Sequence, residues 1–435
     1  MNKRLSFFLL AALYFLIAYL PVQAALNLAP DIDLASGRAL ILGLFFAWLA
    51  AWLHQKKEAP AALSVGRLSL LLILFFLLAA LSVFAAQNQT WGLRKLLVFA
   101  SIFPLFFLVQ ALVKKEEHYK KLVYIIIGGA TVSAVIALAQ FLAQFVFGQE
   151  AIVAFWAAHI VPLFSGASFG ALVASNPSWQ VNIGGQTVMR AIGLFPDPHM
   201  LAFYLGLTSP FALVMLFFEK HRRGLWFAIY CLLAAVLLLT FSRGGYLGLL
   251  AGLMVFFIFA WRKIKGKGKR FFVALCLFAA AMLLLAGWPV AMRLASSFNM
   301  QEGSNMGRLN IWQDSWQVIK NNFIIGVGLG NYPLAVDFSG NYRSSVTSHN
   351  LYLDIWAETG IFGLLAWLLL LFGAAGAAIK KINRFPVVAL GTLAGLAYFF
   401  THSFFETAIF NPTVLAFLMI VLGLLVVNIK EEDVL

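Results

Sequence analysis

Apolar runs near 6–26, 39–53, 68–86, 96–113, 122–147, 200–218, 225–241, 245–261, 271–290, 360–379, 386–404 and 409–429 dominate this chain. A bilayer-crossing helix needs about 20 mostly apolar residues. Lipid offers the backbone no hydrogen-bond partners, so such runs fold as helices that satisfy their own amides. The run at 39–53 is short, and those at 225–241 and 245–261 nearly touch through Ser242-Arg243-Gly244-Gly245. Only 11% of the 435 residues are charged, against about a quarter in a soluble domain. The expected fold is all-α: a polytopic membrane protein of about 12 transmembrane helices, with residues 1–435 forming one integral membrane domain.

Basic residues orient the spans. With a cytoplasmic N-terminus, 22 of the 31 Lys and Arg fall on the inside, as the positive-inside rule requires. Both termini are then cytoplasmic. The net charge of +14 is explained by this topology, with anionic lipid as the neighbour and no nucleic-acid partner. The first run has the flavour of a signal peptide, but it is long for one and its loss would spoil the even span count; it reads as the first helix. Cys231 and Cys276 lie inside apolar runs and read as small core residues, not a disulfide or metal pair.

Seven of the nine basic residues assigned to the outside are Arg: Arg38, Arg94, Arg190, Arg243, Arg293, Arg308 and Arg343. Arginine suits bidentate contact with phosphate and charge kept partly out of water, so an anionic ligand on the outer face is indicated. The beginning of the fourth run carries Arg94 and Lys95, either snorkelling at the interface or functional.

Two outer loops stand out. Residues 148–199 open with an apolar stretch, 151–164, of re-entrant or interfacial type, and close on Arg190 to His199, where Pro196 and Pro198 flank Asp197 and prevent regular helix. Residues 291–359 form the large loop. Leu309, Trp312, Trp316 and Ile319 recur at helical spacing, so 305–320 reads as an amphipathic helix whose tryptophans suit the headgroup region. Gly326, Gly328 and Gly330 permit turns closed to other residues, without the context of a dinucleotide fingerprint. Ser348 is a plausible cap for a helix over 350–359 stopped by Gly360. On that helix Asp354 and Glu358 are one turn apart, most simply a polar face.

His349 is the sharpest single residue. At a helix N-terminus the dipole disfavours imidazolium and keeps the ring a neutral base, unless a carboxylate offsets it. Such a ring takes a proton from a hydroxyl nucleophile; the bland alternative is a histidine bridging loop backbone. Arg190, Arg243 and Arg308 would repel one another at one point unless an anion such as pyrophosphate lay among them, or they are three unrelated interfacial residues. The outer acids Asp197, Asp314, Asp337, Asp354 and Glu358 lack ligand spacing. No metal site or cofactor is expected, with arginine taking the place of a divalent ion at a leaving phosphate.

The ordered set Arg190-x-x-Gly193-x-Phe195-x-x-Pro198, Ser242-Arg243-Gly244-Gly245, Arg308-x-x-x-Trp312, Gly326-Val327-Gly328-x-Gly330-Asn331-Tyr332, Ser348-His349-Asn350-x-Tyr352-Leu353 and Glu358-x-Gly360-x-x-Gly363 resembles the O-antigen ligase family, with its related O-antigen polymerases and protein O-oligosaccharyltransferases. The resemblance implies a GT-C-like, metal-independent, inverting glycosyltransferase of the bacterial inner membrane with its active site on the extracytoplasmic face. It implies a glycan on undecaprenyl pyrophosphate as donor and a hydroxyl of an acceptor glycolipid or glycan, such as the lipid A core, as acceptor. On this resemblance His349 is the base, Arg243 and Arg308 bind pyrophosphate, and Arg190 belongs to an early substrate-binding motif. Two rivals remain: a polymerase joining lipid-linked repeat units, and a transporter of lipid-linked glycans, which would be expected to show midplane charges or inverted repeats.

Overall fold

The structure, a computed structural model, describes residues 3–29, 32–54, 66–167, 177–183, 185–219, 221–264, 266, 268–274, 277, 303–337 and 346–427. Arg293, Arg343, Cys276 and most of the run at 271–290 lie outside them.

Helices follow the apolar runs. In chain order they are α1 Lys3–Tyr19, α2 Ser36–His54, α3 Arg67–Ser82, α4 Gln89–Ile102, α5 Pro104–Leu112, α6 Glu116–Phe147, α7 Gln149–Phe164, α8 Pro198–Phe218, α9 Arg223–Leu239, α10 Arg243–Ala260, α11 Gly303–Asn321, α12 Tyr332–Val336, α13 Leu351–Lys381, α14 Pro386–His402 and α15 Pro412–Val426. Two antiparallel hairpins are the described exceptions to an all-helical chain: β1 Ala25–Ala29 with β2 Ile32–Ala35, and β3 Gln180–Ile183 with β4 Gln186–Met189. Among the described residues eight helical segments are long and apolar enough to cross a bilayer, the fourth being α4 and α5 together. Helices α9, α14 and α15 also match expected runs but are shorter. They are cut short by the turns that build the site: Thr240-Phe241-Ser242 after α9, Ser403 onward after α14, and Asn411 before α15. Helix α7 is the apolar start of the first large loop, helical throughout with one π turn over Trp156–Ile160.

The molecule is centred on α8, whose residues are almost all buried. Helix α14 packs closely on both α8 and α10. Small residues make this possible. A side chain at Gly206 would fall within 2.0 Å of the Tyr398 ring, and Gly245, Gly248 and Gly252 turn one face of α10 towards Tyr398 and Ala394. Such stripes let helix backbones approach in lipid, where packing replaces the hydrophobic effect. The Tyr398 hydroxyl donates to the Ala202 carbonyl at 2.8 Å, which fixes α14 on α8.

The large loop closes over one end of this bundle. Helix α11 matches the amphipathic helix expected at 305–320, but its tryptophans engage protein as well as surface. The Trp312 indole N–H donates to the Ser348 carbonyl at 3.0 Å, and Trp316 meets Trp356 edge to face. Helix α13 breaks at Gly360 (φ 69°, ψ −177°), a conformation essentially reserved for glycine. The glycine cluster packs into that break: Gly326 has φ 79°, and a Cβ there would lie 2.5 Å from the Glu358 carbonyl carbon. Val327 N–H donates to the Ala357 carbonyl and Ile361 N–H to the Phe323 carbonyl. The cluster is thus a close-packing device. Asp354 and Glu358 are buried on α13, so the polar face expected at their one-turn spacing is turned into the protein. Glu358 receives Lys95 from α4 at 2.6 Å, and the same ammonium lies 3.6 Å from the Phe410 ring centre. Lys95 is therefore a structural ion-pair residue rather than a snorkelling one.

Candidate active site

Five segments converge at the loop-covered end: 189–199, 240–243, α11, 348–354 and 402–407. The first is held by two glutamines one turn apart on α6. Gln140 accepts from the N–H groups of Ile192 and Gly193, and Gln144 accepts from Met189 N–H. Arg190 is buried in this segment. Its Nε donates to the Thr240 carbonyl at 2.6 Å and its Nη1 to the Ser178 carbonyl at 2.8 Å. Arg190 therefore ties the loop to the end of α9. Asp197 caps α8, its Oδ1 accepting from His199 and Met200 N–H at 2.7 and 3.0 Å. Burial, helped by nearby Glu406, raises its carboxyl to about 6 against the pull of those two bonds.

Arg243 is the first residue of α10 and is buried. Ser242 caps the helix by accepting from Gly245 N–H, after a turn in which Phe241 has φ 48°. The guanidinium thus sits at the positive end of a helix dipole, where a second fixed positive charge is tolerated best beside an anion. Arg308 lies on α11, close enough to act electrostatically on His199, His349, His402 and Glu406. Arg308 and Arg190 therefore both act on the histidine cluster, Arg190 while engaged with backbone carbonyls, and Arg243 follows directly on Ser242, which touches both His199 and His402.

His349 immediately precedes α13. The helix cap is Asn350, whose Oδ1 accepts from Tyr352 and Leu353 N–H, and not Ser348 as expected. Ser348 locks the turn instead: its hydroxyl donates to the Asn350 carbonyl and its N–H donates to Asp354. Within this turn His349 has φ 50°, a strained value for a residue with a side chain, worth about 1–3 kcal/mol and typical of functional positions. The ring is 40% exposed.

The carboxylate that would offset the dipole is present. His349 Nδ1 lies 3.0 and 3.1 Å from the two oxygens of Glu406. Glu406 is buried in the connection between α14 and α15. Its charge raises His349 above the ordinary histidine value, outweighing burial. This reverses the expectation from the helix dipole alone. Burial by itself would raise Glu406, but His349, His199 and Arg308 hold it well below the usual carboxylate range. Asp354 clamps both partners: one oxygen accepts from Ser348 N–H and the other from the Thr407 hydroxyl. A carboxylate holding Nδ1–H leaves His349 Nε2 with its lone pair directed outwards, the arrangement of a general base.

The sequence reading missed Glu406, His199 and His402. Glu406 lies 3.9 Å from His199 Nε2; His199 Nδ1 and His402 Nε2 each lie 3.0 Å from Ser242 Oγ. A usable signal for Glu406 was its isolation: an acid in the short link between two apolar runs, on the same side as His349. The histidines give no sequence signal, being at the ends of apolar runs.

Residues 204–368 match the family model described as O-antigen ligase. Over 253 residues the chain is 28% identical to the exopolysaccharide production protein ExoQ of Rhizobium meliloti (strain 1021), an alignment covering 51% of this chain and 54% of that protein. The chain thus spans about half the length of this curated relative. The family match contains Arg243, Arg308 and His349; Arg190, His199, His402 and Glu406 lie outside it.

Proposed function

We propose that this chain, whose residues 204–368 match the O-antigen ligase family model, is an inner-membrane glycosyltransferase. It moves a glycan from undecaprenyl pyrophosphate to an acceptor hydroxyl during surface polysaccharide assembly. The observation that carries this reading is the His349–Glu406 pair, with the charge of Arg308 acting on both members. By the positive-inside rule we assign the loop-covered end to the outside and the termini to the cytoplasm, since Lys114, Lys115, Lys120, Lys121, Arg222, Arg223, Lys263, Lys380, Lys381 and Arg384 lie at the other ends of the helices.

In the reaction the acceptor oxygen attacks the anomeric carbon as the bond from that carbon to the pyrophosphate oxygen breaks, inverting the centre. The acceptor proton passes to His349 Nε2. Glu406 stabilises the imidazolium, and Arg243 and Arg308 receive the negative charge on the leaving pyrophosphate. Arg190 contributes by fixing the 189–199 loop against the turn before Arg243. The step asks nothing of a divalent ion.

The name of the relative points to exopolysaccharide production, and a second version of the proposal follows: the acceptor is itself a lipid-linked glycan, and the product a longer exopolysaccharide chain. The chemistry at His349 is the same. Purified protein given a lipid-linked glycan and an acceptor should release undecaprenyl pyrophosphate without added metal, and mass spectrometry of the product identifies the acceptor. Complete dependence on a divalent ion, or transport across liposomes with no new glycosidic bond, would overturn the proposal.

A further inference from the structure

Beyond the His349–Glu406 pair lies a buried chain of groups with no part in the reaction as written: His199, Ser242 and His402. Ser242 Oγ is 3.0 Å from His199 Nδ1 and 3.0 Å from His402 Nε2, and it accepts from Gly245 N–H. A hydroxyl has one proton and two acceptor sites. With one acceptor site used by Gly245, Ser242 donates to one histidine and accepts from the other, so two directions are available.

Two independent observations choose between them. His402 Nδ1 is buried and has no hydrogen-bond partner among the described residues; the ring lies flat on Phe203, 3.8 Å between centres. If Ser242 donated to His402 Nε2, the ring proton would sit on Nδ1 as a buried donor without an acceptor, and buried orphan N–H groups are the rarest kind. Protonating both nitrogens would leave the same orphan. The second observation lies at the other end. His199 Nε2 is 3.9 Å from Glu406 Oε2. If His199 donated its Nδ1–H to Ser242, its Nε2 lone pair would face a carboxylate; in the opposite direction it presents N–H.

We infer that His402, Ser242 and His199 form a one-way hydrogen-bond chain that orients Glu406, and through it the base His349. His402 Nε2–H donates to Ser242, Ser242 O–H donates to His199 Nδ1, and His199 Nε2–H points at Glu406. Glu406 accepts from His349 Nδ1–H and is faced electrostatically by His199 Nε2–H at 3.9 Å, and His349 Nε2 is left as the open acceptor. The same serine caps α10, whose first residue is Arg243, so one hydroxyl sets both the base and the phosphate-facing arginine. His402, Ser242 and His199 are positioning residues. The inference rests on the reading of His349 as base, but its direction is a property of the resting protein.

That property is read without turnover. In protein labelled with 15N in the histidine rings, His402 (assigned by the signal lost in His402→Phe) should be protonated on Nε2 and bare on Nδ1, and His199 likewise. A proton on His402 Nδ1 would overturn the chain. The functional test uses His402→Phe, which keeps the stacking ring but removes the donor, and His402→Gln, whose amide N–H replaces it. Asp197, His199, Arg308, Asp354 and His402 all act on Glu406 or His349, and these variants alter only the last. With the donor gone, His199 is free to turn its lone pair to Glu406, which then holds the His349 proton harder. His402→Phe should move the acid limb of the pH–rate profile to higher pH and lower the rate at pH 7 by roughly three- to tenfold. His402→Gln should restore most of both. An unmoved acid limb in a folded His402→Phe protein, or no recovery in a folded His402→Gln protein, would refute the chain.

Discussion

Glu406→Gln isolates the charge that the structure places behind the base. Glutamine keeps the shape of the buried side chain and still offers an oxygen to His349 Nδ1–H, but the negative charge is gone. In the transition state His349 gains a proton, so the lost interaction is a hydrogen bond to a charged group across 3.0 Å. Such bonds contribute about 1.5–3 kcal/mol, and losing one slows the step by roughly 10- to 150-fold. A second effect runs the other way. Glu406 raises His349, so without it the ring loses its proton at lower pH, and the acid limb of the rate should shift downwards. The assay is undecaprenyl pyrophosphate release as a function of pH, in detergent or liposomes. A lowered plateau together with a limb moved to lower pH is expected. Stability gives a matching sign. A histidine raised in the folded state adds stability that is present below its unfolded value of 6.5 and lost as pH rises through the folded value. Glu406→Gln should therefore lower the unfolding temperature more at pH 6 than at pH 9. An unchanged plateau and limb would refute the role of Glu406.

The arginine at the α10 N-terminus should not tolerate Arg243→Lys, because a single ammonium cannot form the two-pronged phosphate contact; a loss of about tenfold or more in turnover, with normal folding, is expected. Lys95→Met should destabilise the protein by about 3–5 kcal/mol by stranding buried Glu358, and Lys95→Met with Glu358→Gln should recover much of it; thermal unfolding in detergent reads both. Gly360→Ala should unfold or trap the loop region, since its Cβ would lie 1.9 Å from the Ile324 carbonyl oxygen at φ 69°. Limited proteolysis of the 303–359 loop would report the damage, and a fully stable Gly360→Ala protein would contradict the close packing at this break.

The bundle was legible because its signal is local: an apolar run long enough for lipid declares a helix by itself. The amphipathic helix at 303–321, the break at Gly360 and the prominence of His349 and Arg243 were legible for the same reason. The site's electrostatics were not. The dipole argument for His349 needed to know whether a carboxylate faced it, and Glu406 is 57 residues away in sequence, brought near only because α13 and α14 run antiparallel and end together. Asp354 and Glu358 read as a polar helix face at one-turn spacing; their burial depends on the 402–407 link and on α4, which no spacing rule reports. The cap at Asn350 was misread as Ser348 because both residues can cap; the turn at His349 puts the cap two residues later and the helix start at Leu351. Arg190 fits a phosphate binder by residue type; spacing could not report that its Nε and Nη1 hold the Thr240 and Ser178 carbonyls while its charge acts on Asp197, His199 and His402.

The central claim is that His349 deprotonates an acceptor hydroxyl while a glycan leaves pyrophosphate. The most direct measurement follows donor consumption, pyrophosphate release and the anomeric configuration of the new linkage, with chelator present, for the protein and for His349→Ala. Acceptor-dependent release with inversion in the first, and its loss in a folded His349→Ala protein, is the predicted result. Retained transfer by His349→Ala, or a product of retained configuration, would contradict the account.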